Sequence, residues 1–383
     1  MSNSSQKISY TLGIDASRAN STTRTGTEWY AYWVIQELKH LIPDDYRVVL
    51  YSKEDLCADL AADLPAHWES RILRWRWRFW TQLRLSWEML VQPPDALFVP
   101  AHTLPLILPR HAVTTLHDVG FLTEPSAYSF GERLYHRLAT RFALRRADRI
   151  LTVSDFSRRE LVRLCRAEEK KISVTPLACD MRLFRSDFSA DEIESVRNRH
   201  RLPQKYFLFV GRLERKKNFA LLLEAFTRYV ESGGQLDLAL IGKRGLGAAE
   251  ASDGLSDKVR ARIFEPGYVS SIDLPKLFAG ATAFVFPSRY EGFGMPILEA
   301  FASGVPVIAA DATAIPEVAG GAGWLVGLDD VVGLVEAMQV IESDSVLRAR
   351  LIKAGLERVS QFSWEKTAEL TWENLRSILD KIR

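Results

Sequence analysis

The chain alternates short, continuously apolar runs with longer stretches of helical periodicity. The apolar runs are YTLGID (10–15), YRVVLYS (46–52), ALFVP (96–100), AVTTLHD (112–118), RILTVSD (149–155) and KISVTP (171–176). Strands that are apolar on both faces and separated by helices predict parallel sheets covered on both sides. A polar, charged stretch follows over 180–203, and the alternation then restarts: YFLFVGR (206–212), LDLALIG (236–242), RIFEPG (262–267), AFVFPS (283–288), VPVIAA (305–310) and GWLVG (323–327). The pattern predicts an α/β protein of two doubly wound, Rossmann-like domains facing across a cleft, spanning 1–185 and 203–362. Ligands of open parallel sheets bind beyond the carboxyl ends of the strands, so the strand ends are where chemistry is expected.

One stretch departs from this rhythm. SRILRWRWRFWTQLRLSWEM (70–89) holds five arginines and five large aromatic rings. Over 73–79 apolar and basic residues alternate, which predicts an extended segment with Leu73, Trp75, Trp77 and Phe79 on one side and Arg74, Arg76 and Arg78 on the other. From Trp80 the period becomes helical, with Trp80, Leu83, Trp87 and Leu90 on one face, so about half of the rings are expected in the core. A second basic feature lies in 128–148. There Arg133, Arg137, Arg141 and Arg145 recur every four residues on one helix face, with Leu134, Leu138, Phe142 and Leu144 as the apolar side. Such a helix suits an anionic membrane surface, or is simply a solvated charged face opposite the core.

Composition narrows the possibilities. With 383 residues the chain exceeds what one core usually holds, and 47% hydrophobic with 26% charged residues is ordinary for a soluble protein. A net charge of +2 argues against a nucleic-acid partner. MSNSSQKISY lacks a signal-peptide core, and no apolar run approaches the ~18 residues of a membrane span, so a cytoplasmic location is expected. Cys57, Cys165 and Cys179 stand at no metal-ligand spacing and read as reduced thiols.

The densest chemistry lies in FVFPSRYEGFGMPILEAFASGVPVIA (284–309). A strand ends at Ser288, a loop carries Gly292 and Gly294, and Pro296 sits where a first helical turn accepts it. The loop and the new helix offer free N–H groups to an anion such as a diphosphate. Glu291 and Glu299 bracket the turn. Beside an anion site they suit sugar or ribose hydroxyls, and otherwise they are solvated. VGRLERKKN (210–218) places Arg212 and Lys217 at another strand end, as phosphate partners or as a solvated loop. In the first half, His117 follows an apolar strand, as a substrate contact or a structural histidine. Gly26 precedes a helix, and its loop either brings backbone N–H groups to a diphosphate or merely starts the helix.

Taken in order, GRLERKKN, EGFGMPILE with its E-x7-E spacing, LHD, TVSDFSRREL and GYVSSIDLPKLFAGATAFVFPS resemble the retaining nucleotide-sugar glycosyltransferases of glycosyltransferase family 4, which have the GT-B fold. The resemblance covers nearly the whole chain. It implies that Glu299 binds the donor ribose, Glu291 the donor sugar with backbone help from Phe293 and Gly294, with Gly292 also at the donor, and Arg212 and Lys217 the diphosphate. It further implies His117 near the sugar, Gly26 and Thr27 near the phosphates, and Val269 beside the base. FSWEKTAEL (362–370) resembles the family's C-terminal helix, so 363–383 is expected to cross back to the first domain. No metal is expected, since the chain has no Asp-x-Asp triplet, and no other cofactor is implied.

The sub-class most resembled is bacterial mannosyltransferases of surface-polysaccharide assembly. GDP-mannose is then the expected donor and a lipid-diphosphate oligosaccharide the acceptor, met at the inner face of the cytoplasmic membrane by a peripherally bound enzyme. The residues expected to face acceptor or membrane are Arg74, Arg76, Arg78, Arg133, Arg137 and Arg141. The alternatives are UDP-glucose, UDP-galactose or dTDP-rhamnose as donor, a sugar phosphorylase or epimerase on the same fold, and a non-catalytic sugar-binding module.

Overall fold

In a computed structural model, residues 10–382 are described. The N-terminal residues 1–9, read above as lacking a signal-peptide core, lie outside the described residues. Each apolar run is a strand, and one strand was not among them. The first sheet contains β1 (Tyr10–Asp15), β2 (Tyr46–Ser52), β3 (Trp68–Ile72), β4 (Ala96–Val99), β5 (His111–Thr115), β6 (Arg149–Thr152) and β7 (Ile172–Val174), in the order β3-β2-β1-β4-β5-β6-β7. The second contains β8 (Tyr206–Val210), β9 (Asp237–Ile241), β10 (Ile263–Gly267), β11 (Ala283–Phe286), β12 (Val307–Ala310) and β13 (Trp324–Val326), in the order β10-β9-β8-β11-β12-β13. Every pairing between these strands is parallel; in the first sheet Ile14 stands between Leu50 and Phe98, all fully buried. In each sheet the order reverses between two central strands, β1 and β4 in one, β8 and β11 in the other. At such a reversal the connecting loops diverge and leave a crevice.

β3 escaped the apolar criterion because it is an edge strand with charged residues. Of WESRI only Trp68 is buried, and Glu69 pairs with Arg47 and Arg71, each at 2.6 Å. Such charges are how edge strands resist pairing with other chains.

The chain divides into two units. The first comprises 1–123, 129–177 and 363–383, the second 124–128 and 178–362. The first unit thus ends at Leu177 rather than at 185, because the following segment packs on the second unit. Phe184 meets Phe278 edge-on at 5.7 Å, and Arg199, ending the helix Ala190–Arg199, pairs with Asp273 at 2.8 Å. The closing helix Trp364–Leu379 belongs to the first unit and lies on the helix Gly26–Leu41. There Trp364 stacks on Trp33 with centroids 6.4 Å apart, and Trp372 meets Tyr46 at 5.1 Å.

Two expectations are corrected. Residues 73–79 form no strand: the chain turns irregularly, with Phe79 at φ +65°. Of the five rings in 70–89 only Trp80 is fully buried, donating Nε1–H to Leu73 O at 2.8 Å. The helix that follows opens with a π turn, Thr81–Leu85, whose wider winding rotates later residues out of the expected phase. Leu85 and Met89 are therefore buried, while Leu83, Trp87 and Leu90 are exposed. In the helix Phe130–Arg146 only Thr140 and Ala143 are buried. Leu134 and Leu138, read as the apolar side of this helix, are exposed together with Arg137 and Arg141, so of the two readings it is the core-facing one that fails.

Candidate functional site

In the second unit the sequence-predicted residues collect after the carboxyl ends of β8 and β11, the two strands that flank the reversal. Backbone crowding shapes this edge. Gly242, just past β9, has φ +147°, and a Cβ there would lie 2.0 Å from Gly211 O. Only glycine permits this approach, which carries the chain past β8 into Arg212 and the turn Arg215–Lys217. Arg212 is two-thirds exposed at its side chain, with Glu214 3.4 Å away. Lys217 is mostly buried; its Nζ pairs with Glu291 Oε1 and lies 5.2 Å above the Phe286 ring.

Glu291 is held from three sides. Besides Lys217, Ser288 Oγ donates to Oε1 at 2.6 Å, and Thr313 Oγ1, past β12, accepts the Glu291 N–H at 3.1 Å. Gly292 and Phe293 are buried beside it, Phe293 edge-on to Phe362 at 5.8 Å. Gly294 takes φ +101° and caps the helix Met295–Ala302, whose first N–H groups have no intrahelical acceptor. This is the strand–loop–helix arrangement that attracts anions.

Glu299, in that helix, differs from Glu291. It is 9% exposed, and among the described residues no group donates a hydrogen bond to its carboxylate, whose oxygens keep a little contact with solvent. Burial alone pushes its pKa up to about 7. A buried carboxylate without donors is costly unless something else supplies them, and ligand hydroxyls can. Val269, two residues past β10, is buried, whereas Tyr268 before it is exposed.

In the first unit a second group of residues gathers around the reversal between β1 and β4. An open cavity of about 790 Å³ is lined by Asp15, Arg18, Lys53, Arg78, His102 and His136 among others, with Thr27 on its wall. Asp15 ends β1 and is buried; desolvation raises its pKa although its Oδ1 accepts the Ser17 N–H at 2.9 Å. His102, past β4, is pushed down to about 3 by burial, reinforced by the neighbouring His117. His117, past β5, is pushed down to about 4 by burial, so both rings are neutral at pH 7. His117 Nε2 stands 3.4 Å from Pro100 O, a carbonyl that can only accept, which places the ring proton on Nε2. His117 packs behind His102, centroids 5.4 Å apart, and edge-on to Tyr30 at 4.8 Å. It is not on the cavity wall.

Gly26 opens the helix Gly26–Leu41, and nothing lies within 4 Å of where its Cβ would stand. The preceding N–H, of Thr25, already donates to Glu28 Oε2 at 3.2 Å, and Glu28 pairs with Arg18. A carboxylate therefore already sits at the helix start where a diphosphate was expected. Of the basic residues singled out, Arg78 lines the large cavity, while Arg137 and Arg141 line a smaller one of about 360 Å³ with Arg166 and Thr140. Arg74, Arg76 and Arg133 line neither.

Sequence reasoning missed Asp15, Arg18, Lys53, His102, His136, Ser288 and Thr313. His102 was within reach, since the rule that selected His117, a histidine just past an apolar strand, applies equally to it. Cys57, Cys165 and Cys179 are free thiols, and among the described residues no group of His, Cys, Asp and Glu is arranged to hold a metal ion.

Comparison with known proteins finds relatives over most of the chain. Residues 26–183 match the family described as Glycosyltransferase Family 4, and residues 191–358 the family described as Glycosyl transferases group 1. The chain is 38% identical over 299 residues to the O-antigen chain mannosyltransferase B of Escherichia coli, covering 75% of this chain and 76% of that protein. Among solved structures it superposes on sucrose-phosphate synthase from Thermosynechococcus elongatus with a TM-score of 0.75 at 20% identity, covering 97% of this chain and 100% of that one. Against Anabaena Alr3699/HepE in complex with UDP-glucose the TM-score is 0.73 at 19% identity, covering 96% and 99%. At these identities the structural likeness is one of fold.

Proposed function

Since the chain belongs to glycosyltransferase family 4 and has the GT-B fold, we propose that it transfers mannose from GDP-mannose, with retention, to a lipid-linked oligosaccharide in bacterial polysaccharide assembly. The observation that carries the donor reading is Glu299, a buried carboxylate with no donor of its own beside an anion-attracting helix start. Ribose hydroxyls satisfy it. Glu291, fixed by Lys217 and Ser288, receives hydroxyls of the transferred sugar, with backbone N–H groups of Phe293 and Gly294 alongside. Arg212 and Lys217 neutralise the diphosphate, and Val269 borders the base.

In the transfer step the bond between the anomeric carbon and the diphosphate oxygen breaks, and its electron pair leaves with the nucleoside diphosphate. The acceptor hydroxyl attacks from the same face and its proton passes to a phosphate oxygen. Cations and helix N–H groups already in place stabilise the departing charge without reorganising. The reading is metal-independent and needs no covalent intermediate. On the acceptor side, the cavity of the first unit offers Asp15 and His102 to sugar hydroxyls and Arg18, Lys53 and Arg78 to a diphosphate. The mannosyl donor is favoured by the E. coli relative, whose name records mannosyl transfer. UDP-glucose is the second reading, because Anabaena HepE, which shares the fold, holds it.

The test incubates the full chain with GDP-mannose or UDP-glucose and a lipid-diphosphate oligosaccharide, and assigns the anomeric configuration of the product by NMR. The expected result is an α-mannosyl product from the α-linked donor, with activity unchanged by EDTA. An inverted linkage, a trapped glycosyl-enzyme, or release of free mannose with no acceptor dependence would each overturn it.

A further inference from the structure

Among the described residues of the first unit, every exposed large apolar side chain comes from three stretches, 77–91, 106–107 and 130–138. The stretches are neighbours. Gln82 Nε2 donates to Tyr135 OH at 2.9 Å, and Ser86 Oγ accepts the Leu106 N–H at 2.8 Å. The exposure is extreme for such residues: Trp77 is 77%, Phe130 79% and Trp87 60% exposed. Soluble monomers rarely leave large apolar side chains concentrated in this way, and such a concentration marks an interaction surface.

The charge within and beside these stretches says what kind of surface meets it. Arg74, Arg76, Arg137 and Arg141 are all exposed. Arg74 has only a 3.8 Å approach to an equally exposed Asp55, and the other three make no ion pair among the described residues. A second copy docked on this face about a two-fold axis would set arginine against arginine, a repulsive arrangement. An anionic bilayer offers phosphates to the arginines and an apolar boundary to the rings, where tryptophan is favoured.

We propose that this face of the first unit seats on an anionic lipid surface, with Trp77, Trp87, Phe130, Leu134 and Leu138 entering the headgroup boundary. The arginines between them pair with lipid phosphates. Beyond the arginines and the basic amphipathic helix singled out from the sequence, Trp77 and Trp87 join this face, so apolar insertion and charge act together on it. Arg78, Phe79, Gln82 and Tyr135 belong to these stretches and also line the 790 Å³ cavity, so the cavity borders the seated face. On the reading of a lipid-linked acceptor given above, the bilayer then delivers the acceptor's polar end directly to that cavity.

The experiment is flotation of the full chain with vesicles of phosphatidylglycerol and phosphatidylcholine, or of phosphatidylcholine alone, at low and high salt. Wild type is expected to bind the anionic vesicles at least about tenfold better, with a fraction that survives high salt. W77S/W87S/F130S should lose the salt-resistant fraction, and R74Q/R76Q/R137Q/R141Q should lose the preference for anionic lipid. Because all seven positions are exposed, both variants should keep the wild-type melting temperature and the stabilisation by GDP. No vesicle association at low salt, or a serine variant that binds as wild type does, overturns the proposal. So does light scattering that shows a wild-type dimer abolished by the serine changes without vesicle binding. Transfer to a water-soluble acceptor is measured in parallel: vesicle binding without transfer sinks the functional reading and leaves this surface standing, and the converse sinks only the surface.

Discussion

Glu291 and Glu299 belong to one motif yet stand in different electrostatic conditions. Glu291 is held by a lysine and a serine, while Glu299 is buried and lacks donors. Burial raises the Glu299 pKa from 4.5 to about 7, so between those pH values the unfolded chain binds fewer protons than the folded one. Stability therefore falls as pH rises through that window, by at most ~3 kcal/mol. Glu299→Gln should abolish this slope, as read by chemical denaturation at pH 5 and pH 8. If hydroxyl donors bind the carboxylate, wild-type affinity for GDP should weaken below about pH 7, and the glutamine variant should bind about ten- to a hundredfold more weakly with little pH dependence. Calorimetric titration of both proteins across this range decides it, and a flat wild-type profile argues against the role. Two glycines separate structure from function in the same way. Gly242→Ala forces a Cβ to 2.0 Å from Gly211 O in a left-handed conformation and should destabilise by about 3 kcal/mol or more. Gly26→Ala meets nothing within 4 Å, so its melting temperature should match wild type, and any loss of kcat/KM reports a ligand close to that backbone.

At the level of elements, the closing helix Trp364–Leu379 makes the first unit dependent on residues far along the chain. Trp364 is buried against Tyr30 and Trp33, but its indole N–H has no partner. Trp364→Ala should cost about 3–5 kcal/mol, the usual range for emptying an aromatic site. Trp364→Phe should cost much less, because it keeps most of the ring while removing an orphaned donor. Urea denaturation followed by far-UV circular dichroism separates the two, and equal losses would argue against an orphaned indole N–H. The π turn Thr81–Leu85 shows the opposite limit of element-level reasoning. Helical spacing placed Trp80, Leu83, Trp87 and Leu90 on one face, but one wide turn changes the phase, and no residue type in TQLRL announces it.

For the whole molecule, the assignment of the donor residues to the second unit predicts where a nucleotide acts. GDP at about a hundred times its Kd should add ~2.7 kcal/mol to the stability of the unit that binds it. Hydrogen exchange should slow at 211–218 and 288–295, and the strands of the first sheet should exchange at their unliganded rate. Slowing confined to 15–28 would move the nucleotide to the first unit. The two-sheet α/β architecture was legible in the sequence because parallel strands buried on both faces must be continuously apolar, and that requirement acts on each strand separately. The strand ends carrying Arg212, Lys217, Glu291 and Glu299 were legible for the same reason, since a residue's place just past a strand is a local property. The edge strand β3 was not, because an edge needs charge rather than continuous apolarity. Nor could local pattern show that Glu299 lacks donors while the Glu291 carboxylate has two, that His102 lines the cavity and His117 does not, or that Trp77, Phe79 and Trp87 are exposed while Trp80 is buried. Those facts depend on which distant segments come to lie beside a residue, and only tertiary packing decides that.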